Sequence, residues 1–349
     1  IKVIATDQHL LSDFGNTIEL IRREFPDALA LGSSSFTPGP VGRAESLGHL
    51  RTALPSALCE INPSVLFLYG DRGESLEAAS VATIMGIPIA HFQGGDVSGS
   101  VDEQVRHALT KLAHIHFPAS QASANRILQM GEEHWRVRVV GDSHLDPIKL
   151  GLYAGAMEVR ETLGIRDDED PVLVLQHSET TQVEMAHVQM YQTLLAASRL
   201  QGPKVIVLPS TDVGADAILE TVKEFDGGEH MQVVANLDSR LFLGLLRISK
   251  VFLGNSSAGV IEAPFMNVPS VSIGRRQEGR EAYGPVIYCQ HKAESIVEAA
   301  ALAIAQAPSA SYRCTPEMEH LPTSVGKVMA GLHELLPDER LLVKRFVNN

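Results

Sequence analysis

Cysteine is scarce in this chain: Cys59, Cys289 and Cys314 are the only three among 349 residues, far apart and without metal-ligand spacing. An odd, sparse count excludes a disulfide framework and points to a reducing compartment. Basic residues are outnumbered, 29 Lys and Arg against 42 Asp and Glu, for a formal net charge of -13. That balance argues against nucleic acid or an anionic membrane surface as a partner. It still permits a phosphorylated small molecule, because local donors decide such binding. No apolar run reaches membrane-spanning length, and no leader of the secretory kind opens the chain. The expectation is a cytoplasmic protein with no metal site.

What the chain has in abundance is short apolar runs separated by helical stretches. Six lie in the first part: IKVIAT (1–6), ALALG (28–32), SVLFLYG (64–70), PIAHF (88–92), HIHFPA (114–119) and RVRVVG (136–141). Six more follow: PVLVLQH (171–177), KVIVLPS (204–210), QVVAN (232–236), KVFLGN (250–255), PSVSIG (269–274) and PVIYC (285–289). Runs this continuous suit strands buried on both faces, and alternation with helices suits parallel sheets. The predicted fold class is α/β, two Rossmann-like doubly wound parallel-sheet domains with an interdomain cleft. The predicted boundaries are 1–145, 146–325 for a nucleotide-binding domain, and a helical segment 326–349 that packs back on the first domain. The chain already opens on a strand, so a segment before Ile1 is expected.

In doubly wound sheets ligands sit beyond the carboxyl ends of strands. Polar residues gather at that position: Asp71 and Arg72, Gln93 to Asp96, His177 and Ser178, Asn255 to Ser257, and Arg275 with Arg276. Turns favour Gly, Asp, Asn and Ser anyway, so most single positions have a plain structural explanation. That explanation is weaker for His177 and the arginines. GNSSAGVIEA (254–263) ends a strand and is expected to open a helix capped by Asn255, Ser256 or Ser257. Free N–H groups there suit a diphosphate, Glu262 suits a ribose diol, and Arg275, Arg276 and Arg280 follow the next strand. Asp71 is either a helix cap or a catalytic carboxylate. His177 is either a near-neutral acid–base group or the cap of a helix starting near Thr180.

QGGDVSGSVDEQVRHALTKLAH (93–114) passes from a glycine-rich turn into a helix. Ser100 and Glu103 form an S-x-x-E capping box, which starts the helix near Val101 and places Asp102 in its first turn. Val105, Leu109 and Leu112 form its apolar stripe. Arg106, His107 and Lys111 are either site cations or a solvated face paired with Glu103 at helical spacing.

With these motifs in place, LYGDR (68–72), HFQGGDVSGSVDEQVRHALTKLAH (91–114), LQHSETT (175–181) and GNSSAGVIEAPFMNVPSVSIGRRQEGRE (254–281) resemble the hydrolysing UDP-N-acetylglucosamine 2-epimerases of sialic and legionaminic acid synthesis. The resemblance spans nearly the whole chain. It implies a fold of the GT-B glycosyltransferase kind and catalysis by Asp71, Asp102 and His177. It implies substrate contacts at His9, Arg72, Gln93 and Arg106, and nucleotide contacts at Ser256, Ser257, Glu262, Arg276 and Arg280. The implied reaction removes the C2 proton of a UDP-sugar, expels the nucleotide and adds water. It moves no net hydride, so no cofactor is expected. A homodimer or homotetramer is expected. A glycosyltransferase of the same fold and a catalytically silent nucleotide-sugar binder are the competing expectations. In one departure, the best-known members carry Glu in an H-I-E-G-G motif where this chain has Gln93. In another, the family opens one strand earlier.

Overall fold

Apolar runs become strands where both faces are covered, and they shorten or break where cover is lost. The computed structural model describes residues 1–11, 17–32, 40–97, 101–179, 182–209, 214–226, 231–235, 237–307 and 321–347. Ser100 of the expected capping box, Thr180 and Cys314 lie outside the described residues.

The described strands are β1 (Ile4–Ala5), β2 (Leu29–Ala30), β3 (Leu66–Tyr69), β4 (Ile89–Phe92), β5 (Ile115–Phe117), β6 (Val172–Leu175), β7 (Lys204–Val207), β8 (Met231–Val234), β9 (Val251–Gly254), β10 (Ser270–Ile273) and β11 (Ile287–Cys289). The helices are α1 (Ile18–Glu24), α2 (Pro40–Ile61), α3 (Gly73–Ile84), α4 (Val101–Leu112), α5 (Gln121–Gln129), α6 (Asp146–Lys149), α7 (Ala156–Leu163), α8 (Ala186–Ser198), α9 (Ala215–Glu224), α10 (Ser239–Ile248), α11 (Glu262–Phe265), α12 (Ala293–Gln306) and α13 (Ser324–Leu335). The chain divides into two units. Ile1–Asp96, Val101–Asp142 and Ser324–Asn349 form the first, and Val97–Ser100 with Ser143–Thr323 form the second.

The second unit contains all six of its expected strands in one parallel sheet, ordered β8-β7-β6-β9-β10-β11. Counted along this unit, that is the 3-2-1-4-5-6 order of a dinucleotide-type fold, with the order reversing between β6 and β9. Successive side chains of a strand face opposite ways. Leu173, Val205 and Phe252 accordingly enter a core with α7, α10 and α11. Val172, Val174, Ile206, Val251 and Leu253 enter another with α8 and α12. The central strands β7, β9 and β10 are buried at every position, whereas the edge strands β8 and β11 are not.

The first unit is built less continuously. β3, β4 and β5 make one parallel ladder, and β1 and β2 make another. The run 136–141, expected as a strand, contributes only one parallel bridge, His116 to Val137. It is nonetheless tied alongside β5, with Arg138 N donating to His116 O at 2.9 Å and Val140 N to Pro118 O at 3.1 Å. The expectation of burial on both faces also fails for the 28–32 and 64–70 runs. Leu29 and Ala30 are exposed, and β3 is a ladder edge with Phe67 and Tyr69 exposed.

Packing in this unit has two centres. Leu50, Leu54 and Leu58 of α2 meet Ala78 to Ala82 of α3, Ile89 and Leu109 on one side of β4. Ala90, Phe92, Ile115 and Phe117 meet Val328 and Leu335 of α13, with Leu341 of the tail, on the other. The helical run of the C-terminal segment stops at Leu335, and turns followed by irregular chain continue to 347. No described helix is long and apolar enough to cross a membrane.

Candidate functional site

In the first unit Asp71, Arg106, Asp96 and Ser123 form one hydrogen-bonded chain at the strand ends. α4 begins at Val101 as expected, and Leu109 in the middle of its apolar stripe is fully buried. Arg106, three residues earlier and so on the same face of the helix, is also buried, and it reaches the ends of β3 and β4. Its Nη2 is ion-paired with the Asp71 carboxylate, and its Nη1 donates to Asp96 O at 2.8 Å. Asp96 accepts from Ser123 Oγ at 2.5 Å. Arg106 therefore holds Asp71 in place. Asp102, one turn earlier on α4, is exposed. Of the cations expected on this helix, His107 lies 3.6 Å from Glu103, and Lys111 pairs with Glu132 at 2.5 Å. Arg72 is the N-cap position of α3 and is largely exposed, 3.6 Å from Glu74. His9 is exposed in the turn Asp7–Leu10, with Nδ1 2.8 Å from Thr17 Oγ1.

The glycine-rich turn after β4 is held tightly. Gln93 adopts φ +60°, and its N–H continues the ladder to Phe117 O at 3.0 Å. Gly95 has φ +81°, and a Cβ there would collide with the Ser123 carbonyl. Gln93 is buried and donates from Nε2 to Asp142 Oδ1 at 2.9 Å. His91, fully buried two residues earlier, lies with Nε2 2.7 Å from Gly70 O, directly before Asp71. Burial pushes its imidazole down to about 4, so at neutral pH it is an uncharged donor that steadies the Asp71 turn.

In the second unit the expected residues gather at the point where strand order reverses. Gly254 lets β9 lie close against β6, since a Cβ there would collide with Leu175 O. The next residue, Asn255, is completely buried. Its Oδ1 accepts from His177 N at 2.7 Å and its Nδ2 donates to His177 O at 2.9 Å. One carboxamide thus extends the β6–β9 pairing by side chain and fixes the backbone of His177. The Asn255 carbonyl accepts from Arg276 Nη1 at 3.1 Å and Gln277 Nε2 at 3.0 Å, which ties the arginine loop to the same point. Arg280 Nη1 lies 3.4 Å from Gln277 Oε1.

The helix expected at 254–263 takes a different form. Ser256 caps a three-residue 3₁₀ turn, Ser257–Gly259, by accepting from Ala258 N at 3.4 Å. Glu262 then opens the separate helix α11, rather than standing a turn and a half into one continuous helix. Pro264 has no N–H to bond the Val260 carbonyl and is tolerated only in a first helical turn, which suits a helix that begins at Glu262. Glu262 lines a recess of about 230 Å³ together with Ser143, His144, Pro147, Ser239, Phe242 and Leu243.

Three groups escaped the sequence reading. Asp142 follows an apolar run immediately, the same signal that picked out Asp71. Phe242 sits within the apolar side of α10, where nothing distinguishes a recess wall from core. Glu179 accepts from His291 Nε2 at 3.1 Å and from Arg275 N at 2.9 Å, linking the ends of β6, β10 and β11. The His291 hydrogen bond, with that of the backbone, holds the Glu179 carboxyl below the usual range. Among the described residues no group of three or more His, Cys, Asp or Glu is placed to hold a metal.

Known proteins resemble this chain in sequence and in fold. A UDP-N,N'-diacetylbacillosamine 2-epimerase (hydrolyzing) from Legionella pneumophila is 32% identical over 295 residues, 82% of this chain and 76% of its own length. A UDP-N-acetylglucosamine 2-epimerase from Neisseria meningitidis serogroup B is 30% identical over 298 residues, covering 85% of this chain and 78% of the relative. Among solved structures, UDP-GlcNAc 2-epimerase from Neisseria meningitidis bound to UDP-GlcNAc superposes with a TM-score of 0.71 at 16% identity, over 97% of this chain and all of that one. The fold is thus the GT-B-like pair of Rossmann-like domains found in these enzymes. The family described as UDP-N-acetylglucosamine 2-epimerase matches residues 1–320, and the chain belongs to that family.

Proposed function

We propose that this protein is a hydrolysing 2-epimerase of a UDP-N-acetylhexosamine, converting UDP-GlcNAc, or the related diacetamido-trideoxy sugar nucleotide, to the free 2-epimerised sugar and UDP. The observation that carries this reading is the convergence at the β6–β9 reversal. His177, Ser256 and Ser257 lie there, and the loop bearing Arg276 and Arg280 is tied to the same buried Asn255. Anionic ligands of such sheets bind at that place. The nearby recess offers Phe242 and Leu243 to a base and Glu262 to a ribose diol. Relatives named for this chemistry, and a solved relative bound to UDP-GlcNAc, support the substrate class.

In the proposed reaction a carboxylate removes the sugar C2 proton. The C–H electron pair forms a C1–C2 double bond as the C1–O bond to the diphosphate breaks. UDP departs with that bonding pair, and Arg280 with the donors at Ser256 and Ser257 stabilises its charge. Water then adds its oxygen to C1, and a proton returns to C2 on the opposite face. Asp71 and Asp102 share the proton transfers, and His177 assists departure or hydration. Arg106 and His91 keep Asp71 in register for this task.

The test is incubation with UDP-N-acetylglucosamine in deuterated water, followed by proton NMR. The expected result is free mannosamine-type sugar carrying deuterium at C2. Intact substrate bound with measurable affinity would instead indicate a silent binder. Transfer to an acceptor without 2-epimerised product would indicate a glycosyltransferase.

A further inference from the structure

We propose that Lys344 is a positioning residue for Asp71. Its ammonium clamps the C-terminal end of α4, and the helix so held keeps Arg106 on the Asp71 carboxylate. The proposal rests on the epimerase reading for what Asp71 does, while every contact it uses lies within the first unit.

An α-helix leaves its last four carbonyls without partners of its own. In α4 two of these belong to Thr110 and Lys111. Lys344 Nζ donates to both, to Thr110 O at 3.2 Å and to Lys111 O at 2.9 Å. Its third acceptor is Glu132 Oε2, at 2.7 Å. Three acceptors match the three N–H groups of an ammonium, and a cation suits the negative end of the helix dipole. Glu132 carries the anchorage on into the sheet, since His116 Nε2 of β5 lies 3.1 Å from its Oε2.

The tail is held on both sides of Lys344 by other groups. Arg136, wholly buried, donates to the carbonyls of Arg340, Leu341 and Val343. Val347 N donates to Gly131 O at 3.1 Å. Lys344 is therefore a fixed point, and α4 is the element it secures. From there the route to Asp71 is short. Thr110, fully buried, donates from Oγ1 to Arg106 O at 3.1 Å. Arg106, about 6 Å back along the helix, forms the ion pair with Asp71. One turn of helix is stiff along its axis, so a shift at 110–111 is carried to Arg106. A misplacement of about 1 Å at reacting groups can cost about 10²-fold in rate.

The experiment measures kcat and KM with UDP-N-acetylglucosamine, UDP affinity and thermal unfolding for Lys344→Met, Lys344→Arg and Leu341→Ala. Lys344→Met keeps the stem and removes every donor. At a temperature where it is fully folded, its kcat should fall about 10- to 100-fold, with KM changing less and UDP affinity unchanged. Lys344→Arg keeps a charged donor and should recover most of that rate. Leu341→Ala leaves a hole in the core beneath the tail, away from α4. It should lower the unfolding temperature and leave kcat near wild type.

If wild type shows no C2 exchange, the epimerase reading fails by itself, and amide hydrogen exchange tests the clamp alone. Lys344→Met should then raise exchange at 70–72 and 93–96, the turns that Arg106 braces, as well as at the end of α4. The proposal is overturned if that rise stops at the tail and the last turn of α4. In an active enzyme it is overturned if Lys344→Met keeps a near wild-type kcat, or if UDP affinity falls alongside kcat. It is also overturned if Leu341→Ala slows turnover as much, or if Lys344→Arg is no faster than Lys344→Met.

Discussion

The two units solve the same architectural problem with different forces. The second closes six parallel strands into one sheet between two apolar cores. The first has its described strands in two separate ladders, exposes Phe67 and Tyr69 on the edge strand β3, and concentrates charge in its interior. Glu132 is buried against Lys111, His116 at 3.1 Å and Lys344 at 2.7 Å. Burial alone would raise its carboxyl, but hydrogen bonds from His116, Lys111 and Lys344 outweigh that and hold it at about 2. Arg136 is wholly buried and donates to the carbonyls of His114, Leu341, Arg340 and Val343, clasping the C-terminal tail. His91, His114 and His116 are buried here, whereas no described histidine of the second unit is. Apolar burial is non-directional and indifferent to pH. Buried ion pairs are directional and fail sharply when one partner is lost. The first unit, where buried charge is densest, should therefore respond to pH and to single charge changes before the second, whose buried pairs include Asp146–Lys149 and Glu179–His291.

The largest expected difference is in turnover. Asp71→Asn and Asp102→Asn keep shape and remove proton chemistry, so each should lower kcat by about 10²- to 10⁴-fold and leave UDP affinity unchanged. Single-turnover kinetics beside UDP titration checks this; a near wild-type rate would return that carboxylate to a structural role. Next is stability. Glu132→Ala takes the carboxylate away from the buried His116 and the largely buried Lys344, for a loss of about 3–5 kcal/mol. Hydrogen exchange should locate the loosening at α4, α13 and the tail, and equal loosening of both units would contradict the division drawn here. Smaller again is nucleotide affinity. Arg280→Ala and Glu262→Ala, in the second unit, should each weaken UDP binding about 10- to 100-fold by calorimetry, without altering the first unit's exchange pattern.

The most gradual effect is acid sensitivity. His91 and His114 are held at about 4 in the folded chain, chiefly by burial, against 6.5 when free. Below 6.5 the unfolded state takes up the proton first, so stability present above that pH is lost as pH falls toward 4. For His91, wholly buried, the loss is about 1.4 kcal/mol per pH unit within that window. Glu132 adds to it at lower pH, since a carboxyl held near 2 loses its contribution as pH falls from 4.5. Exchange measured from pH 7 to 4.5 should thus rise in the first unit before the second. Simultaneous rise would show that the buried histidines do not set the order.

Local pattern carried much of this molecule. Apolar runs flanked by helices made all six strands of the second unit legible, because a strand covered on both faces needs little beyond its own composition. The strand-end rule likewise placed Asp71, Gln93, His177 and Asn255 at carboxyl ends, since a parallel sheet ends all its strands the same way. What the pattern could not carry depends on partners distant in sequence. RVRVVG (136–141) has strand composition but only one bridge, and 28–32 is apolar yet exposed. Composition says nothing of whether a neighbour is present to pair with. GNSSAGVIEA has a helix-start signature but breaks into a turn and α11. Arg106, from its sequence, is a helix-face cation; only the tertiary fold brings Asp71, 35 residues away, against it. Asp142 and Gln93 are 49 residues apart, and their hydrogen bond exists because two segments flank β5. The sequence by itself determined the strands and the residue types at their ends. The tertiary structure alone decided which of those side chains meet, because hydrogen-bond geometry is set by through-space neighbours and leaves no periodic trace along the chain.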